Sequence, residues 1–284
     1  MLTFAPGVTG SGSAVVALSA VLLVGASAFA TVAYVPRARS LVERERERTA
    51  TERDAFVAFA SEVSSLDASL SSARREPSSA AGGTARLAGT DRGGGSQTRR
   101  IVRAYRDTVL AVDHRDSVEE SLARNLAAEL GTDLAAPLLD GATVSPQLQA
   151  ALARRARAVA DTRDSAVTEL DREADALADA ERTLDDVASD VDELGVEPAR
   201  RLSFEALFEE WTRLGDVQSR VEALLDDRQR DLHARDGSGN LKRGLAFVYG
   251  PLPVRHPVLA AGVELANRIR EARETRASRL TWRS

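Results

Sequence analysis

The chain contains no cysteine, which excludes disulfides, thiolate metal ligands and cysteine nucleophiles. Histidine is scarce as well. His114, His233 and His256 lie far apart, with no HxH or HxxxH spacing, so no metal site is expected. Lysine occurs once, at Lys242, and the phosphate-loop pattern GxxxxGK followed by Ser or Thr is absent. The glycines between Gly82 and Gly95 follow no apolar strand, so they read as linker and not as a nucleotide cradle. Aromatics make up 4% of the chain, too few for a large aromatic core, and a net charge of −5 makes general nucleic-acid binding unexpected. No Ser–His–Asp set or convergent carboxylate pair stands out. The sequence therefore predicts no catalytic residue, no cofactor-binding residue, no metal ligand and no small-molecule substrate.

Charge is missing altogether from one stretch. Ser13 to Val35 reads SAVVALSAVLLVGASAFATVAYV, and no charged side chain precedes Arg37. As a helix those residues would cover about 34 Å, enough for a hydrocarbon core of about 30 Å. The sequence predicts a single transmembrane helix over 13–35, in contact with membrane lipid, behind a short tail of residues 1–12. Arg37, Arg39, Arg44, Arg46, Arg48 and Arg53 follow it and none precedes it, so the expected orientation is N-terminus outside and C-terminal domain cytoplasmic. Tyr34 falls at the expected inner boundary, and the small pairs Ala26/Ala30 and Ser27/Thr31 sit four apart. A cleaved secretory signal is the competing reading: Ala28-Phe29-Ala30 fits a cleavage site, although no basic n-region precedes the run. That reading would make the chain an exported soluble helical protein.

Beyond the run, abundant Ala, Arg, Asp and Glu point to long helices. Residues 36–70 read as a juxtamembrane helix, opening on alternating Glu43 to Arg48 and then carrying Phe56, Phe59, Val63 and Leu66 at helical spacing. Residues 71–98, rich in Gly, Ser and Ala without period, read as a flexible linker. A helical domain is expected over 99–284. Ile101, Tyr105, Val109 and Val112 form its first stripe. Ser117 to Glu120 form a capping box for a helix ending at Gly131, and a loop containing Pro137 and Gly141 follows.

Ser145-Pro146 opens the longest element, with Ser as N-cap and Pro at N1. Leu170, Leu177, Leu184 and Val191 repeat every seven residues, as do Ala180, Val187 and Leu194, which reads as a coiled-coil seam. Gly195 to Pro198 break the helix, and Ser203 caps the next, with Leu202 and Leu207 as staple, Phe204, Leu207, Trp211, Leu214, Val221 and Leu225 as stripe, and Phe208 beside it. Two amphipathic helices joined by a short break predict an antiparallel hairpin over about 146–235. Asp161 to Glu197 holds 14 acidic residues against Arg163, Arg172 and Arg182, and reads as a solvated face. Residues 236–256 read as irregular, with Phe247, Val248 and Tyr249 as their buried part. Gly250, Pro251, Pro253, Arg255 and Pro257 argue against a second membrane pass over 245–265. A last helix is expected over about 257–282, its arginines packed against the acidic hairpin or lying on an anionic membrane surface.

Three motifs carry a resemblance. They are Phe56-Val57-Ala58-Phe59-Ala60, then Arg99-Arg100-Ile101-Val102-Arg103-Ala104-Tyr105, then Pro253-Val254-Arg255-His256-Pro257-Val258-Leu259. In order and spacing the chain resembles a haloarchaeal family catalogued as domain of unknown function 7260, from about Leu41 onward. The resemblance implies a haloarchaeal source and brings no activity, ligand or site residue.

The expected fold is therefore all-α: a single N-terminal transmembrane helix followed by a coiled-coil-rich bundle with a long antiparallel hairpin. The expected function is that of a membrane-anchored cytoplasmic coiled-coil interaction or scaffold protein, its partner a second protein or a second copy bound through the coiled-coil helices. A membrane-anchored regulator or sensor whose bundle answers to a ligand is the alternative. No enzymatic activity is expected.

Overall fold

A computed structural model describes residues 34–73, 91–112, 122–195, 199–236 and 239–282. The described residues form helices and connecting turns only: α1 (Tyr34–Ala73), α2 (Asp91–Thr108), α3 (Leu122–Leu130), α4 (Thr132–Leu139), α5 (Pro146–Leu194), α6 (Phe204–Asp236), α7 (Gly239–Val248) and α8 (Pro257–Thr281). The chain divides into two compact units, one of residues 44–170 and one of residues 34–43 with 171–284.

The expected transmembrane helix is not part of this fold. Among the described residues no helix is long and apolar enough to cross a membrane. Residues 13–33 lie outside the described residues, as do residues 1–12 and the capping box at Ser117. The two residues of the run that are described, Tyr34 and Val35, open α1, and Val35 is buried against protein at 1% exposure. From Arg37 the same helix is strongly charged, with Arg39 pairing Glu43 at 2.9 Å and Arg48 pairing Glu52 at 3.3 Å.

In the unit of residues 44–170, the stripe of α1 does what its spacing predicts: Phe56, Phe59 and Val63 are buried together with Ile101 and Tyr105 of α2, Leu126 of α3 and Leu152 of α5. Burying each such side chain contributes about 1.5–3 kcal/mol. Tyr105 meets Phe59 edge-on at 5.1 Å and Phe56 at 6.4 Å, and its hydroxyl donates to Asn125 Oδ1 at 2.6 Å. Here α1 and α5 run antiparallel, since Arg163 of α5 bonds Glu52 and Gln149 bonds the carbonyl of Val63. Ser145 caps α5 by accepting from the Leu148 N–H at 3.1 Å.

Two expectations in this unit need correction. Residues 91–98 of the predicted linker are helical, because α2 starts at Asp91, and this turn is tied down: Gln97 donates to Gln149 and Thr98 to the Ala142 carbonyl. The loop around Pro137 is the helix α4, with Ala135 and Leu138 buried. Gly131 precedes it at φ 91°, a left-handed conformation that glycine adopts without a Cβ penalty.

In the unit of residues 34–43 and 171–284, Leu177, Leu184, Val187 and Val191 of α5 and Leu207, Leu214, Val217 and Val221 of α6 are buried. Ion pairs join Asp190 to Arg220 at 2.5 Å and Glu173 to Arg228, so α5 and α6 run antiparallel. Ser203 caps α6 through the Ala206 N–H at 3.2 Å, and Leu202 and Leu207 are both buried. Helix α8 packs along α6. Gly262 makes close approach possible, since a Cβ there would stand 2.6 Å from Leu225 Cδ2.

The acidic stretch is not simply a solvated face. Glu181 bonds Arg39, Asp190 bonds Arg220, and Asp192 bonds Arg268 at 2.8 Å. Arg268 of α8 is thereby used inside the protein. Residues 239–248, expected to be irregular, form α7. Its pattern buries Leu245 and Val248, with Tyr249 just after it, whereas Phe247 points outward at 72% exposure.

Candidate functional site

Two polar or aromatic constellations stand out in the unit of residues 171–284. The first is internal. Glu173 of α5 is fully buried and receives both terminal nitrogens of Arg228 from α6, Nη1 at 3.2 Å from Oε2 and Nη2 on Oε1. The Tyr249 hydroxyl donates to the same Oε1, and Arg228 Nη1 also reaches Asp231 Oδ2 at 3.3 Å. Burial lowers the pKa of the Arg228 guanidinium, but the hydrogen bond and charge of Glu173 outweigh it, and the net shift is upward. A bidentate Arg–carboxylate pair satisfies the geometry that a buried charge needs. It pins α7 and the turn after it to the α5–α6 hairpin. Its groups bond to one another between helices, so it reads as a structural clamp.

The second constellation is at the surface. Phe204 and Phe208, one turn apart at the start of α6, are 51% and 54% exposed. Phe208 stacks on Trp211, with centroids 6.2 Å apart and planes at 25°. Arg273 of α8 lies over the Trp211 ring at 4.7 Å and donates to Gln218 Oε1 at 2.7 Å, while its Nε is buried without a hydrogen-bond partner. Arg276, one turn further along α8, bonds Glu210 at 2.7 Å and the carbonyl of Leu194. These contacts set the register: α8 rises as α6 descends. Trp282 stands six residues beyond Arg276 and Phe204 six before Glu210, about 9 Å along each axis. Both belong to the same end of the unit, and Trp282 is 88% exposed. Both tryptophans of the chain and two of its seven phenylalanines are gathered there.

This geometry leaves an exposed aromatic surface backed by a guanidinium. Exposed aromatic rings offer large apolar area at low entropic cost, and Trp, Tyr and Arg dominate protein–protein hot spots. Helical spacing places Phe204 and Trp211 on one stripe with the buried leucines and Phe208 beside it. The available signal was the second line beside it, Phe204, Phe208 and Trp211 at i, i+4 and i+7, parallel to Leu207, Leu214 and Val221.

In the unit of residues 44–170, Arg163 lies over the Phe56 ring at 4.8 Å, held by Glu52 at 2.9 Å and Glu129 at 2.8 Å. Burial opposes its charge, and the hydrogen bond to Glu52 and the charge of Glu129 more than restore it, leaving its pKa raised. A shallow cleft of about 340 Å³ is lined by Glu62, Ser65, Leu66, Arg100, Arg103, Ala104 and Asp107. Its charges are of both signs, and Arg103 faces Asp107 at 3.6 Å, so no single ligand charge is favoured. Among the described residues no three His, Asp or Glu side chains converge as metal ligands. His233 meets the Gln229 carbonyl at 2.7 Å, and His256 precedes α8 as its N-cap residue.

Residues 33–273 match the family described as "Domain of unknown function (DUF7260)". The chain belongs to the DUF7260 family. No curated protein and no solved structure matches it. The DUF7260 match takes in both units, including Phe204, Phe208, Trp211 and Arg273, and ends before Trp282. It begins at Ala33, at the threshold of α1, so most of the apolar run lies outside it.

Proposed function

We propose that this DUF7260 chain is a helical interaction protein, a scaffold that engages the apolar segment of another protein through the aromatic end built by Phe204, Phe208, Trp211 and Trp282. One observation carries the reading: a chain poor in aromatics leaves both Phe204 and Phe208 half exposed and Trp282 almost fully exposed at one end of one unit. The heptad leucines are a weaker basis, since Leu177, Leu184, Val187 and Val191 are buried within the chain itself. A second copy would have to find another surface than that seam. The Arg273 guanidinium over Trp211 stiffens the platform from behind, which lowers the entropic cost of docking.

The test is differential capture at native salt with the full-length chain as bait. Phe204→Ser with Phe208→Ser removes the rings, and Phe247→Ser removes a still more exposed ring elsewhere in the same unit. The expected result is a protein retained by the wild type and by Phe247→Ser but lost with the double variant. Retention by all three baits, or by none, overturns the reading.

A further inference from the structure

Helix α8 shows what kind of segment α6 receives. It is a basic amphipathic helix that buries Val258, Leu265 and Ile269, lays Arg273 over Trp211 at 4.7 Å and sends Arg276 to Glu210 at 2.7 Å. The outward side of α6 repeats that combination of ring and carboxylate. At about 100° of turn per residue, Phe204 and Phe208 stand next to Trp211 on the side away from Glu210. Glu205, Glu209 and Asp216 follow, about 100–140° round from Phe204. All five side chains are exposed, whereas Glu210 is held by Arg276. Arg213 and Arg220 stand further round toward α5, and Arg220 is bonded to Asp190 there. The rings are thus bordered by α8 on one flank and by a line of carboxylates on the other.

We infer that the segment docked on the aromatic end is a cationic amphipathic helix of another protein, its apolar stripe on Phe204 and Phe208 and its Lys or Arg side chains along Glu205, Glu209 and Asp216. This occupant rests on the docking surface proposed above and gives it a charge and a shape. Spacing favours a helix. The three carboxylates are separated by about 6 and 10.5 Å along the axis, and positions i, i+4 and i+11 of a second helix match both intervals on one face. An extended strand would need residues i, i+2 and i+5, and its third cation would point away. Long basic side chains also suit the site, since their stems lie along rings while their heads reach carboxylates. Charge disfavours other occupants: carboxylates beside the rings repel the phosphates of nucleic acid and of an anionic membrane. A second copy is disfavoured too, because α8 is a helix of this kind and its apolar stripe is already buried. Charge complementarity of this sort speeds encounter and weakens with added salt.

Both tryptophans belong to this end, so tryptophan emission of the full-length chain reads binding directly. The probes are two amidated peptides of about 14 residues, roughly four helical turns. Both carry leucine at i, i+3, i+4 and i+7; the remaining positions are lysine in one and glutamate in the other. The expected result is that the wild type binds the lysine peptide at least about tenfold more tightly than the glutamate peptide. Glu205→Lys with Glu209→Lys and Asp216→Lys should reverse that order. Asp161→Lys with Asp175→Lys and Asp186→Lys, which changes as many exposed carboxylates on α5, should leave it as it was. Phe204→Ser with Phe208→Ser should abolish binding of both peptides. Equal affinity for the two peptides, binding of neither, binding that survives loss of the rings, or a lysine preference that survives reversal at 205, 209 and 216 overturns the inference. Ring-dependent binding to vesicles of phosphatidylcholine and phosphatidylglycerol would assign the end to lipid and overturn it equally. Failure of the charge preference with the ring-dependent capture intact removes the cationic helix and leaves the docking surface standing. Loss of the ring-dependent capture removes both.

Discussion

The two units use aromatic rings in opposite ways. In residues 44–170, Phe56, Phe59 and Tyr105 sit inside, edge to face, and Arg163 closes over Phe56 between two carboxylates. In residues 171–284, Phe204, Phe208 and Trp282 sit outside, and Arg273 backs Trp211 from the neighbouring helix. The same pairing of ring and guanidinium appears in both. In one it seals a core; in the other it props a surface. Leucine and valine fill most of the interior of the second unit, with Tyr249 as a buried ring, and Phe204, Phe208 and Trp282 are left at its surface.

That contrast is most easily broken by truncating one ring in each unit. Phe59→Ala empties a fully buried position, and the expected loss is about 3–5 kcal/mol, read from urea unfolding followed by circular dichroism. Phe208→Ala acts on a half-exposed ring, and the expected change stays within about 0.5 kcal/mol. Comparable losses from the two would mean that the surface rings carry structure, and the docking reading would lose its basis.

Next in size is the clamp. Arg228→Met strands the fully buried Glu173 carboxylate, with the Tyr249 hydroxyl still bound to it. Removing one partner of a buried pair costs about 3 kcal/mol or somewhat more. Burial favours the neutral form of a stranded carboxyl, so the loss should shrink as pH falls and the variant's carboxyl takes up a proton. Adding Glu173→Leu to Arg228→Met should recover much of the stability, because two apolar groups replace the pair. A double variant as unstable as the single one would show that the pair contributes more than its own desolvation.

Much of the architecture was legible because its causes are local. The caps at Ser145 and Ser203 depend on a hydroxyl three residues from the N–H it accepts, and the heptad leucines of α5 reveal their buried side by spacing alone. What escaped depends on contacts remote in sequence. Arg228 and Tyr249 reach Glu173 across 55 and 76 residues, so an acidic stretch that looked uniformly solvated contains one fully buried carboxylate. Helix α7 was hidden by Gly239, Gly244 and the prolines after it, and the burial of Leu245, Val248 and Tyr249 overrides those breakers. The membrane-spanning reading rested on the length of the uncharged run and the arginines that follow it, and neither gave a sign that Val35 packs against protein. The aromatic end required two facts that no single stripe contains: which line of α6 faces inward, and where α8 finishes beside it.

The smallest effect tests the acidic helix itself. Asp185 of α5 has its pKa pushed up from the ordinary aspartate value, by burial first and then by the charges of Glu181 and Asp186. A carboxyl whose folded-state pKa is raised favours the native state in its protonated form. That contribution is fully present below the unfolded-state pKa and is lost as pH rises through the folded-state value. Asp185 is solvent-exposed, so screening by water leaves its ionised form only a slight burden at neutral pH, and Asp185→Asn should raise the urea midpoint slightly. The gain should fade as the buffer is taken down through the aspartate range, where the wild-type carboxyl becomes neutral too. Its dependence on added salt separates the two causes. Repulsion from Glu181 and Asp186 is screened within a Debye length of about 10 Å at 0.1 M, whereas desolvation is not. A gain that survives high salt assigns the burden to burial. A gain that disappears assigns it to like charge crowded on one face of α5, the same crowding that Arg39, Arg220 and Arg268 relieve elsewhere along the helix.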